Sequence, residues 1–315
     1  MQLNSIGIAG ELRCVITDRD GTIKNDTGYQ KNLILNQGLD FFGGGHGGVI
    51  NFSCAIGGGN SSPAVTQTTL DSFIAISIGS ETTSNYEYID NNDGMYRMWE
   101  QKKYRFTGLD NANISEVGLV SSGNSSLDYY LTTRALIKDQ MGSPTTISVK
   151  TGETLDIYYK IHKVIDTRDK VFLINILDGN GGMIPYNATL RPLSVGSNKN
   201  KVSSPAAEYR FLTVNTTGLL PIITATSSGD TVDGKFSFSS YSQGSFKITA
   251  NLFFSLNEAN IGIKRLDSYS AEYSGIFPFQ IQFDRVSDNA PLTKTANQTL
   301  LIPLEFSWGR YEGVL

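Results

Sequence analysis

Turn chemistry recurs at such short intervals along these 315 residues that there is little room for long helices. Runs rich in Thr, Ile, Val, Tyr and Phe are bounded by clusters of Gly, Asn, Asp and Ser. β-Branched and aromatic side chains suit a pleated surface, and the flanking residues tolerate the backbone of tight turns. Such runs predict strands at 11–17, 73–78, 96–106, 145–149, 154–161, 170–177, 234–238, 246–256, 277–283 and 299–306. Asp20-Gly21 between residues 11–17 and Thr22-Ile23-Lys24 predicts a hairpin, because both turn residues accept positive φ. One short helix or helical turn is expected within residues 31–42, interrupted by Gly38, and residues 63–73 have room for a single helical turn. Residues 96–106 mix aromatics with charges, the pattern of a strand with one wet face.

The sequence also repeats itself. Asn113-Ile114 and Asn260-Ile261 stand 147 residues apart, as do Pro144-Thr145-Thr146 and Pro291-Leu292-Thr293. The segment from Tyr129 aligns with that from Phe277, and Ile56-Gly57 with Ser62-Pro63-Ala64 resembles Val195-Gly196 with Ser204-Pro205-Ala206. The matches keep the same order, which points to one β-unit used twice, with convergent turn chemistry as the alternative. A unit of about 150 residues buries enough surface to fold alone. The fold expected is therefore all-β: two tandem, duplicated antiparallel β-sandwich domains, 1–165 and 166–315, with at most one or two short helices. The boundary falls in the polar stretch 163–170.

Composition narrows the function. A net charge of -4, a pI near 5.3 and no basic block argue against a dedicated nucleic-acid binder. No run reaches the ~18 apolar residues of a membrane span, so no membrane insertion is expected. Residues 1–10 have no basic n-region, so no secretion signal is read there. Cys14 and Cys54 lie in apolar strand-like runs and are expected to be reduced core residues, with a disulfide between them left open. The charged fraction, 18%, is below the usual ~25%, and Ser, Thr, Asn and Gly cover the difference. A weakly charged polar surface with aromatics suits burial in an assembly. Residues 246–256 carry only Lys247 as an edge-blunting charge, so uncovered strand edges would need a partner.

Each motif that could carry chemistry lacks its context. Val15-Ile16-Thr17-Asp18-Arg19-Asp20-Gly21-Thr22 resembles the nucleophile motif of haloacid-dehalogenase phosphatases, where Asp18 would attack phosphorus and Asp20 act as acid and base beside Mg²⁺. That family needs parallel βαβ units, and none follows. Residues 90–94 and 178–182 resemble fragments of Ca²⁺ loops without the closing Glu, and read as turns. Residues 43–48 and 57–59 are glycine-rich without the Gly-Lys-Ser/Thr of a phosphate loop. His46 and His162 have no ligand at metal spacing, and no Gly-x-Ser-x-Gly elbow is present. No catalytic, metal or cofactor-binding residue is therefore assigned and no cofactor is expected. Trp99, Trp308 and the tyrosines could stack on sugars, although aromatics in strands are more often core or interface.

Several segments together resemble structural proteins of tailed bacteriophages. Arg19-Asp20-Gly21-Thr22, Asp26-Thr27-Gly28 and the run Lys31 to Leu39 follow a recurring pattern of a charged turn, D-T-G and N-L-I-x-N-x-G-L. Ile56 to Gly59, Thr68-Thr69-Leu70, Ile114 to Leu119 and Arg134-Ala135 continue it. Phe279 to Asp284, Lys294-Thr295 and Phe306 to Arg310 are similar to phage tail proteins at the C-terminal end. The resemblance implies a non-enzymatic virion component of the tail, baseplate or tail-fibre region, assembled in the host bacterial cytoplasm. Its partners would be itself, as a homo-oligomer, and other virion tail proteins; the alternative is a module that binds a host surface glycan. The preferred contact residues are Gly43, Gly44, Gly45 and His46, which can fit closely against a backbone, and Trp308, Arg310 and Tyr311, residue types that dominate interfaces.

Overall fold

Alternation along residues 6–17 sets the centre of the structure. Ile6, Ile8, Leu12, Cys14 and Ile16 are buried, while Glu11 and Arg13 face outward. In the computed structural model, strand Ile6–Thr17 pairs antiparallel with Thr154–Asp166 along its whole length, Ile6 opposite Ile165 and Thr17 opposite Thr154. On its other side it pairs in parallel with Leu300–Arg310, Ile6 beside Trp308 and Ile8 beside Arg310. The structure describes residues 1, 5–43, 53–78, 81–87, 93–121, 129–178, 180–193, 209–220, 230–232, 235–270 and 279–315.

Along the main path of the central sheet three strands lie on each side of this strand. Outward on one side lie 154–166, Met95–Phe106 and Glu81–Glu87; on the other lie 300–310, Lys247–Phe254 and Lys235–Phe238. Leu155 stands opposite Phe106 where Leu300 stands opposite Phe254. Each half then adds a second sheet. In the first, Phe73–Ile78, Ser53–Gly57, Glu116–Val120, Thr133–Leu136 and Leu33–Ile34 follow one another; in the second, Asp230–Val232, Tyr209–Asn215, Arg265–Ser270, Phe279–Arg285, Met183–Pro192 and Lys170–Leu177 do. A two-stranded ribbon accompanies each half, Ala112–Ile114 with Ile147–Val149 and Gly262–Ile263 with Leu292–Thr293. The chain is thus all-β, with strands throughout and one short helix, Asn36–Gly43, among the described residues.

In the two ribbons Ile114 faces Ile147 and Ile263 faces Leu292, whereas the sequence matches set Ile114 against Ile261 and Thr145 against Leu292. The strands holding Leu155 to Tyr159 and Leu301 to Phe306 flank strand 6–17 on its two sides. Val195, Gly196 and residues 204–206 lie outside the described residues. Strand 247–254 is not an edge, contrary to the sequence reading, because 235–238 and 300–310 flank it. The expected boundary falls between strands 154–166 and 170–177, yet one cluster of buried residues runs through both halves.

Each second sheet contains a fully buried arginine. Arg134 donates to Glu116 at 2.8 Å, Asp71 at 2.8 Å, the Ser61 carbonyl at 3.0 Å and Gln67 at 2.9 Å. Glu116, itself fully buried, also accepts from the backbone N–H of Gly59, Asp71 and Ser72. Arg265 donates to Asp267 at 2.6 and 3.0 Å and reaches Thr217 and the Gly218 carbonyl. Burying such charges is costly unless every donor is met. Arg134 meets this demand by gripping the loop that leaves strand 53–57, two strands away, and Arg265 by gripping the loop that leaves its neighbour 209–215.

Asp18 to Thr22 form the expected hairpin turn between antiparallel strands, 6–17 and Ile23–Asp26. Gly21 has φ 91°. The Asp18 carboxylate accepts from Asp20 N–H and the Asp20 carboxylate from Thr22 N–H, so the phosphatase geometry, a nucleophile at the end of a parallel strand, does not arise. Cys14 and Cys54 are free thiols in the core, and burial pushes the Cys14 thiol up to about 12. The helix begins five residues later than the window 31–42, because Gln30–Lys31 and Leu33–Ile34 pair as strands first. Residues 63–73 hold turns and no helix. No helix among the described residues is long and apolar enough to cross a membrane.

Gly38 gives a test with a reversed sign. Helix propensity alone favours alanine there by about 1 kcal/mol. A Cβ at Gly38, however, would lie 2.2 Å from the Thr132 carbonyl oxygen. Gly38→Ala is therefore expected to destabilise the protein by about 1–3 kcal/mol, read as a lower denaturant midpoint at unchanged m-value.

Candidate functional site

Two places concentrate aromatic and charged side chains: the joint between the halves and the outer face of the central sheet. The joint is built by the end of the chain. Trp308 is 3% exposed, donates Nε1–H to the Leu39 carbonyl at 2.9 Å, and stacks on Tyr241 with centroids 5.7 Å apart. Arg310 donates to the Ile34 carbonyl and to Asn36 Oδ1. Asp40 Oδ1 accepts from Tyr241 Oη and Gly244 N–H at 2.6 Å each. Burial, and then the Asp40 carboxylate, raise the Tyr241 phenol above its ordinary value. Tyr311 N–H donates to the Ile8 carbonyl, and its hydroxyl accepts from Arg97 at 3.2 Å. The helix of the first half is thus held by side chains of the second.

This placement accounts for the C-terminal residues singled out in the sequence. Trp308 and Arg310 have the chemistry of interface anchors, and within the chain they hold the helix and the strand before it. Tyr311 is half-buried against Arg97. Gly43 ends the helix. Gly44, Gly45 and His46 lie outside the described residues.

The outer face follows from strand periodicity. Trp99, Gln101, Lys103 and Arg105 alternate along strand 95–106, and their neighbours on 154–166 are His162, Lys160, Tyr158 and Asp156. Glu11 and Arg13 come next on 6–17. Tyr29, just before strand 30–31, lies over this surface. Lys160 Nζ sits 3.8 Å from the Tyr29 ring centroid and 4.9 Å from that of Trp99. Arg13 stands 5.9 Å from the Tyr29 centroid and 5.8 Å from that of Tyr158, with Lys103 at 5.9 Å from the latter. His162 Nε2 lies 3.0 Å from Glu11 Oε2, and that hydrogen bond lowers the Glu11 carboxyl below its ordinary value. Arg105 makes two 2.7 Å bonds to Asp156, and Arg13 pairs with Asp26.

The result is a surface on which three rings, Tyr29, Trp99 and Tyr158, are interleaved with cations. Trp99 and the tyrosines are stacking candidates on sequence alone, but the register that sets Lys160 and Tyr158 beside residues 99–105 is fixed across strands. Among the described residues no group of three His, Cys, Asp or Glu could hold a metal ion. Asp178 Oδ1 accepts from Asn180 and Gly182 N–H, as in a polar turn. A cleft of about 220 Å³ lies beside it, lined by Ile176, Leu177, Leu292, Lys294, Gln298 and Leu300 among others. Comparison with known families, curated proteins and solved structures finds no match to this chain.

The joint makes a quantitative expectation. Trp308→Ala removes a buried indole and leaves the Leu39 carbonyl without that donor. It is expected to cost about 3–5 kcal/mol, measured by equilibrium denaturation. Deletion of 308–315 is expected to destabilise the chain at least as much, a folding defect as well as any assembly defect.

Proposed function

We propose that this protein is a non-enzymatic structural component of a tailed-phage virion, in the tail, baseplate or tail-fibre region, built from a duplicated β-sandwich and assembling through β-domain surfaces. The observation that carries the reading is how the phage-like segment is used. Asp26 pairs with Arg13, and Thr27 exchanges hydrogen bonds with the backbone of Cys14. Gly28 has φ 66°. Asn32 donates to Tyr159, Asn36 accepts from Arg310, and Leu35 and Leu39 are fully buried. Every one of these residues serves the framework, as expected where a sequence pattern marks a scaffold. The matching connectivity of the two halves supports the duplication.

A second reading is favoured by the outer face. Trp99, Tyr29 and Tyr158, set among Gln101, Lys160 and Arg13, offer ring faces beside polar groups, the combination by which β-sandwich modules bind glycans. On that reading the protein would recognise a host surface glycan from the same particle.

Cryo-EM of the parent particle tests the first reading. The chain is expected in symmetric copies in the tail region, and purified virions without it would overturn the assignment. A glycan array with the isolated protein tests the second: the scaffold reading expects no specific signal, whereas a signal lost on Trp99→Ala would make glycan recognition the function.

A further inference from the structure

Strand Lys170–Leu177 is the end strand of the six-stranded sheet, and among the described residues nothing pairs with its outer edge. It runs without a bulge against 183–192, Lys170 opposite Leu190 and Leu177 opposite Met183. Its burial alternates strictly. Phe172, Ile174 and Ile176 pack on the core, while Val171 is 62%, Leu173 68% and Leu177 62% exposed. Natural proteins blunt such edges with Lys and other charges, Pro or a bulge. This one has only Lys170, at its first position, and no Pro or bulge.

We infer that strand 170–177 pairs antiparallel with the same strand of a second copy, about a two-fold axis at Ile174, joining the two six-stranded sheets. Three features select this occupant and register. The first is the backbone. Asp178 N–H donates to the Gly182 carbonyl at 2.8 Å, so 178 and 182 are a hydrogen-bonded pair. Bonded and non-bonded pairs alternate in an antiparallel ladder. Residues 171, 173, 175 and 177 therefore direct their N–H and C=O groups to the open edge. Pairing about Ile174 sets 171 against 177 and 173 against 175, so each outward residue meets another.

The second is side-chain complementarity. In this register Val171 meets Leu177 of the second copy at both ends of the outer face, and Phe172 meets Ile176 on the inner face. The third is charge. Lys170 and Asp178 bracket an uncharged run, and the two-fold axis brings Lys170 of each copy opposite Asp178 of the other. A parallel arrangement would oppose like charges instead. An isologous contact of this kind closes on itself and limits growth to a dimer.

The inference deepens the assembly reading proposed above, and the edge supplies one of its contacts. Its test is sedimentation of the purified full chain over a range of concentrations. Val171 and Leu177 are exposed, so Val171→Lys and Leu177→Glu are expected to leave the monomer's melting midpoint near that of the wild type. The wild-type protein is expected to dimerise reversibly. Either single variant is expected to weaken the dimer by about tenfold, through apolar cross-strand pairs lost at both ends. Mixing Val171→Lys with Leu177→Glu restores one native pair and creates one Lys–Glu pair, so the mixture is expected to dimerise more tightly than either variant alone.

A wild-type monomer at all concentrations overturns the inference, as does a dimer indifferent to Val171→Lys or a mixture no tighter than its components. If the chain is monomeric alone but its edge is covered by a different protein in the particle, self-pairing fails while the assembly reading stands. If it dimerises as described but is absent from virions, the phage assignment fails and the edge contact stands.

Discussion

Strand Ile6–Thr17 is the constraint on which the other elements depend, because it is hydrogen bonded to both halves of the chain. Its antiparallel ladder with 154–166 fixes the first half, and its short parallel ladder with 300–310 fixes the second. A one-residue slip would turn Ile6, Ile8, Leu12, Cys14 and Ile16 out of the core. Gly7 shows how close the parallel neighbour comes, since a Cβ there would sit 2.9 Å from the Tyr311 side chain. The amino terminus extends the same seam: Met1 donates to the Pro303 carbonyl and its own carbonyl accepts from Glu305 N–H.

The remaining parts of the joint act on that seam. Helix 36–43 lies where both halves reach it, with Trp308 and Arg310 on one side and Tyr241 with Gly244 on Asp40. Away from it, each second sheet has its own buried arginine, so loop placement is solved separately in each half. Arg134 and Glu116 lie on neighbouring strands, whereas Arg265 and Asp267 lie on one strand. Two different charge arrangements thus do the same work on a shared connectivity, a difference that short sequence matches do not capture.

Much of the fold was legible because strand periodicity and turn chemistry are local. The hairpin at Asp18 to Thr22, the strands at 73–78 and 170–177, and the helix after residue 31 follow from neighbours in sequence. What the sequence leaves open is non-local. Residues 246–256 read as an uncovered edge, and only the pairing reveals 300–310 beside them. Residues 170–177 read simply as a strand, since an apolar run looks the same in a sheet interior as at an open edge. Trp308, Arg310 and Tyr311 have the composition of an interface, and composition does not distinguish a contact within a chain from one between chains. The outer-face cluster was half visible: period two gathers Trp99, Gln101, Lys103 and Arg105, but the register that brings Lys160, Tyr158 and Arg13 beside them is set across strands.

One shared strand makes the two halves a single cooperative unit. Native-state hydrogen exchange tests it most directly, by following the amides of Ile6–Thr17 and Leu300–Arg310 as denaturant is added below the transition. Both sets are expected to exchange through the same opening, with the free energy and denaturant dependence of global unfolding. An opening that releases one set while the other stays protected would contradict it, and would make the halves two independent domains that merely touch.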